Sequence, residues 1–222
     1  MNLRPSAPKT DALPSCATSR CSLSSLVDTC LVTPIRYDTL AALVESRAPA
    51  CGATKVIALD GPSGAGKTEF ANGLGAALGA PVLHLENVYP GWSGLAETPA
   101  IIARCVLEPL AVGDIGEVAR WDWEHERPAD VLRFAPTPLL ILEGVGSGSR
   151  ACRPFLSLLI WLDAAAQLRK ARALSRDGEA YAPFWDMWAK QERRLFEAEG
   201  TRAVAEVVVD TGRDGILDPT KQ

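Results

Sequence analysis

Lys55-Val-Ile-Ala-Leu-Asp60 runs directly into Gly61-Pro62-Ser63-Gly64-Ala65-Gly66-Lys67-Thr68, and Phe70, Leu74 and Leu78 follow at helical spacing. The first six residues form a short apolar run bounded by glycine and proline, which reads as a buried strand. The stripe predicts a helix over about Lys67–Leu78, with Gly79 as its C-cap. Between them lies G-x-x-x-x-G-K-[ST], with every required position filled. Gly61, Gly64 and Gly66 allow the backbone to curl until successive N–H groups face phosphate oxygens. The helix adds the positive end of its dipole. Lys67 is placed to reach the β- and γ-phosphates, and the Thr68 hydroxyl to ligate Mg2+. Gly61, Ser63, Gly64, Ala65, Gly66, Lys67 and Thr68 are therefore the candidate nucleotide-binding set, with ATP and Mg2+ as the expected cofactors. A strand before and an amphipathic helix after give the motif the context that a chance glycine-rich turn lacks.

Outward from this stretch, strands and helices alternate. Pro81–Leu85, Pro138–Leu142, Leu156–Leu162 and Ala205–Val209 read as strands, and Glu117–Trp123 as an extended segment. Helices are expected over about Thr98–Leu107, with Thr98 as its cap, and over Ala164–Ser175 and Phe184–Ala198. This order predicts an α/β chain: the three-layer P-loop NTPase fold, with a mostly parallel sheet, right-handed crossovers and an arginine-bearing lid helix. The expected domain spans 51–212. Residues 1–50 read as a disordered tail, rich in serine and proline, with a short amphipathic helix at 37–48; residues 213–222 read as a C-terminal tail.

The 222 residues carry a formal net charge of -4, with no basic run. That balance argues against a nucleic-acid partner and for a small ligand. The apolar stretches fall short of a membrane span. Six cysteines include no C-x-x-C pair and match no zinc-site spacing. A P-loop protein that works on ATP is expected in a reducing compartment, the cytoplasm, so they read as free thiols. A homo-oligomer is compatible with all of this. No Asn-Lys-x-Asp guanine reader follows a later strand, which argues against a GTPase.

Val56–Thr68 resembles the opening of nucleoside and nucleotide kinases, cytidylate kinases especially. Downstream pieces are similar, in order, to the uridine kinase and phosphoribulokinase group. Glu86-Asn87-Val88-Tyr89 stands where that group has Asp-x-Phe-Tyr. Trp121-Asp122-Trp123-Glu124-His125-Glu126-Arg127 is similar to its acceptor-holding segment. Glu143-Gly144 matches its Glu-Gly after a buried strand, and Arg172–Asp177 matches its arginine-rich lid. The resemblance covers about residues 54–210. It implies a kinase of a small-molecule alcohol, with a nucleoside such as uridine leading. A cytidylate-type monophosphate kinase and a non-catalytic ATP-binding regulatory protein stand as alternatives.

The same resemblance distributes roles. Lys67, Glu86, Arg172 and Arg176 are the catalytic candidates, with Glu86 as proton acceptor and the arginines, spaced on one helix face with Arg169, covering the phosphates. Thr68 and Glu143 are the metal candidates. Tyr89, Trp121, Trp123, His125 and Arg127 are the acceptor-binding candidates. Each has a plainer reading: a solvated loop glutamate at 86, a turn cap at 143, a solvated helix face for the arginines, one core and one surface tryptophan at 121 and 123. Trp185, Trp188 and Phe196 read as packing, and His84, inside a strand, as structural.

Overall fold

The computed structural model describes residues 36–212. Residues 1–35 of the tail expected over 1–50, three of the six cysteines and the segment 213–222 lie outside the described residues.

Helix α1 (Tyr37–Ser46) comes first, then strand β1 (Lys55–Asp60), helix α2 (Lys67–Leu78) and strand β2 (Val82–His84). A 3-10 turn spans Leu85–Asn87. Next, α3 (Thr98–Ile102), a π-helical turn (Ala103–Leu107) and α4 (Glu108–Ala111) make one continuous helical stretch. Strands β3 (Gly116–Asp122), β4 (Arg127–Phe134), β5 (Leu139–Glu143) and β6 (Leu156–Asp163) follow. The chain closes with α5 (Ala166–Tyr181), α6 (Trp185–Glu199), α7 (Thr201–Val204) and β7 (Val207–Asp210).

Five strands make one parallel sheet in the order β2-β5-β1-β6-β7. Strands β1, β5 and β6 are buried along most of their length, because helices cover both faces of a parallel sheet. One core gathers α1, α2 and one face of the sheet around Phe70, Leu74 and Ile160; the other gathers Leu85, Ile102, Leu107 and Trp188. The fold is the expected α/β architecture.

Three details differ from the reading of the sequence. The extended segment around Glu117–Trp123 is half of an antiparallel hairpin, β3–β4, which stands apart from the main sheet. Its second strand is exposed along most of its length, so no apolar run marks it. Thr98 does not cap its helix: its hydroxyl is buried and donates to the Gly94 carbonyl at 2.9 Å. And α1 packs onto α2, with Tyr37 edge-on to Phe70 at 5.5 Å and pressed over Gly73, where a side chain would collide with the phenol. The folded unit therefore takes in this helix.

Helix α5 is broken once. Gly178 has φ 57° and ψ -136°, far from helical values. The arginine-bearing part of α5 lies before the break and Tyr181 after it.

Candidate active site

Strand β1 delivers Asp60 to the carboxyl edge of the sheet, where open α/β folds place ligands. Its side chain is fully buried. The carboxylate accepts backbone N–H bonds from Gly61 (2.7 Å), Gly146 (3.0 Å) and Gly148 (2.9 Å), tying the phosphate loop to the segment after β5. Burial pushes this carboxyl up to about 6; the three backbone donors and the Lys67 charge pull the other way.

The phosphate loop is shaped by close approach. A Cβ at Gly61 would lie 2.0 Å from the Leu162 carbonyl oxygen, and one at Gly64 would lie 2.1 Å from that of Arg169. Both glycines also have positive φ, 142° and 77°. Sequence chemistry and packing thus demand the same residue. Lys67 is 7% exposed and its Nζ donates to the Pro62 carbonyl at 3.0 Å.

Beside the loop, Thr68 Oγ1 donates to Glu143 Oε1 at 3.3 Å, and Glu143 Oε2 lies 2.7 Å from His84 Nδ1. The hydrogen bond to Glu143 raises the His84 pKa against the opposing effect of burial. A hydroxyl and a carboxylate at the mouth of a glycine cradle suit a hard cation that takes its other ligands from phosphate and water. Among the described residues no group of three or more His, Cys, Asp or Glu could hold a metal by itself.

The arginine face of α5 is bonded to the loop from above. Arg169 donates to the Ser63 carbonyl (3.2 Å), and Arg172 donates to the Thr211 hydroxyl (2.9 Å) and carbonyl (3.0 Å). The Thr211 hydroxyl in turn donates to the Ala65 carbonyl at 2.9 Å.

These elements enclose a cavity of about 1070 Å³. Ser63, Gly64, Gly66, Lys67 and Thr68 line it on the loop side; Arg172 and Arg176 line it from α5. Glu86, exposed in the 3-10 turn, Tyr89, Trp123 and Glu143 line it as well. Gly61 and Ala65 are buried behind the loop. The Tyr89 phenol donates to the Val145 carbonyl at 3.0 Å, and burial holds its pKa well above the usual value. Trp123 Nε1 donates to the Glu86 carbonyl at 2.9 Å.

Trp121, His125 and Arg127 do not line this cavity. Trp121 is half-buried near Gly91. His125 is exposed with its Nδ1 2.9 Å from Asp122 Oδ2, and Arg127 is exposed at the start of β4. The reason is local: β3 ends at Asp122, so Trp123 belongs to the hairpin turn and swings towards Glu86 while its neighbours follow the hairpin.

The sequence reading passed over several cavity residues. Trp92 stacks on Phe184 (4.4 Å between centroids, 8° between planes) and on Tyr181 (5.4 Å, 14°), and tilts against Trp123 at 4.9 Å. All four line the cavity, as does Trp188. Trp185 is core only, and Phe196 lies edge-on to Trp161 at 4.7 Å. His84 is the partner of Glu143 and not merely a strand residue. The one sequence signal for this aromatic wall was the density of rings around residues 181–188. Nothing local linked them to Trp92.

No family model matches the sequence, and no curated protein matches it either. Solved structures do. The chain is similar to a possible uridine kinase from Bacillus stearothermophilus (TM-score 0.58, 19% identity, 79% of this chain and 97% of that one). It is also similar to a putative fructose transport system kinase from Silicibacter sp. TM1040 (TM-score 0.53, 15% identity, 79% and 98%). The fold is that of the P-loop kinases. At these identities the P-loop kinase fold is what the likeness carries. Among the described residues no helix is long and apolar enough to cross a membrane.

Proposed function

We propose that this protein is an ATP-dependent phosphotransferase acting on a small-molecule alcohol, with a nucleoside such as uridine as the leading acceptor. One observation carries the reading: a single cavity holds the phosphate loop with Thr68 and Glu143 together with Glu86 and a wall of aromatic rings. Its volume suits a nucleotide and a small acceptor side by side. The chain has the fold of a possible uridine kinase, and the Trp92–Phe184–Tyr181 wall offers flat apolar surface for a base or sugar.

In the proposed reaction the acceptor hydroxyl oxygen attacks the γ-phosphorus and its proton passes to the Glu86 carboxylate. The bond from the γ-phosphorus to the β,γ-bridging oxygen breaks, and ADP leaves. Lys67, Arg172 and Arg176 neutralise charge on the transferring group, which is most of what phosphoryl transfer asks of a protein. Thr68 and Glu143 would hold Mg2+, which when bound shields the phosphate oxygens.

An acceptor panel with ADP detection tests the proposal. ADP release should rise above the ATP-only background with nucleosides. If no hydroxyl acceptor raises it and a nucleoside monophosphate does, the monophosphate kinase reading replaces this one. If no acceptor of either kind raises it, transfer itself is refuted.

A further inference from the structure

Helix α6 reaches into the phosphate loop with a carboxylate. Glu192 is 3% exposed, and its Oε1 accepts the backbone N–H of Ser63 at 2.9 Å. One helical turn earlier, Trp188 donates its indole N–H to that same oxygen (3.0 Å) and to the Ser63 hydroxyl (3.1 Å). The i, i+4 spacing puts both side chains on one helix face. Ser63 is thus held at its N–H and its hydroxyl by a helix 125 and 129 residues away.

The neighbourhood makes this unusual. Amides of such a loop serve as anion donors, pooled with a helix dipole and the Lys67 ammonium. Here a side-chain anion already takes one of them: Ser63 lines the cavity, while Glu192 lies buried behind that lining. A buried carboxylate behind such a loop opposes the positive potential that draws a triphosphate in, and its bond holds the Ser63 amide away from the ligand side. Trp188 extends the contact to the other end of the cavity. Its ring lies edge-on to Tyr89 at 5.0 Å and to Trp92 at 6.0 Å. The aromatic wall and the phosphate loop are therefore joined through one hydrogen-bonded cluster.

We infer that Glu192 is a positioning residue that acts as a built-in competitor for the phosphate loop: it occupies the Ser63 amide, lowers affinity for ATP, and couples that amide to the aromatic wall through Trp188. The inference rests on the donor-site reading of the loop. Its consequence is a nucleotide site tuned weaker than its glycine cradle alone would make it, with the tuning carried by a helix that also forms the acceptor wall.

Titration of the full chain with ATP and Mg2+ by calorimetry, with thermal melts run in parallel, tests this. Glu192→Gln keeps an oxygen for the Ser63 amide and removes the charge, and should bind ATP on the order of tenfold more tightly. Trp188→Phe keeps a ring and loses the indole donor, and should tighten ATP by about two- to threefold through a less firmly held carboxylate. A purely structural role would lower the melting temperature without tightening ATP. Unchanged or weaker ATP binding by folded Glu192→Gln overturns the proposal alone. If that variant does not fold, Trp188→Phe decides, and unaltered ATP affinity there overturns it. Failure of the unaltered protein to bind ATP overturns the donor-site reading and this proposal with it.

Discussion

The two sides of the cavity are built on different principles. The phosphate side is written in one continuous stretch, Gly61–Thr68, and is braced from beneath by Asp60 and from above by Arg169, Arg172 and Thr211. The opposite side is assembled from the 3-10 turn and the segment after it, a hairpin tip and the α5–α6 junction, joined by ring contacts, the Trp123 indole bond to the Glu86 carbonyl and the Gln191 side-chain bond to the Trp92 carbonyl. Under the proposed function, the contrast explains why a donor site can be read from a motif while an acceptor site cannot. A phosphate is recognised by backbone geometry, which a local pattern must encode. An acceptor is recognised by side chains brought together from far apart.

Substitutions can break or sharpen that contrast. The largest effect is expected at Lys67→Ala, which should lower the transfer rate about 10³-fold and also weaken ATP binding. Steady-state kinetics with ATP titration would show it, and intact ATP affinity would remove the role given to Lys67. Next comes Glu86→Gln, expected to slow transfer about 10²-fold while ATP affinity stays within about twofold. Equal losses in transfer and ATP affinity would return Glu86 to the donor side.

Asp60→Asn tests the brace. Its amide offers one acceptor oxygen where three backbone N–H groups converge, and its own N–H2 faces one of them. A loss of about 2 kcal/mol at pH 7 is expected, seen as a melting temperature lower by several degrees. The pH dependence supplies a second readout. The folded pKa of Asp60, about 6, lies above the ordinary 3.8. Its contribution to stability is therefore full below about pH 4 and is lost as pH rises through about 6. The variant should lack that decline, and an unchanged slope between pH 4 and 6 would refute the assignment.

The smallest effects belong to the hairpin, where two residues of one segment should part company. Trp123→Phe loses the bond to the Glu86 carbonyl and should raise the acceptor KM by a few-fold, worth about 1 kcal/mol. His125→Ala, outside the cavity lining, should change neither KM nor kcat by more than about twofold. A large effect at His125 would mean that the hairpin closes over the acceptor further than the structure shows.

How much of this was legible in the sequence follows the same division. Strands β1, β5 and β6 announced themselves as apolar runs, and α2 by its stripe, because burial on both faces leaves a strong compositional trace. Strand β4 left none, being exposed along most of its length. Family order placed Glu86, Tyr89 and Trp123 at the cavity, yet it placed Trp121, His125 and Arg127 there too, and only three-dimensional register separates the two groups. Asp60 read as the last residue of a strand, since its three partners are backbone amides invisible to any pattern. Trp188 read as helix packing and Glu192 drew no reading, because their partner Ser63 lies more than a hundred residues away.

The break at Gly178 gives helix α5 a mechanical character. Arg169 and Arg172, before it, are fastened to the phosphate loop and its surroundings; Tyr181, after it, is stacked on Trp92. The helix is thus two levers on one pin, one resting on the phosphate-loop side and the other on the aromatic side. A Cβ at the pin would meet no neighbour, so crowding is no obstacle to replacing this glycine. The obstacle is torsional: a side chain at φ 57° and ψ -136° is strained, and relieving that strain by straightening the rod would swing Tyr181 off its tryptophan. One residue with no side chain thereby sets the angle between the two halves of the site.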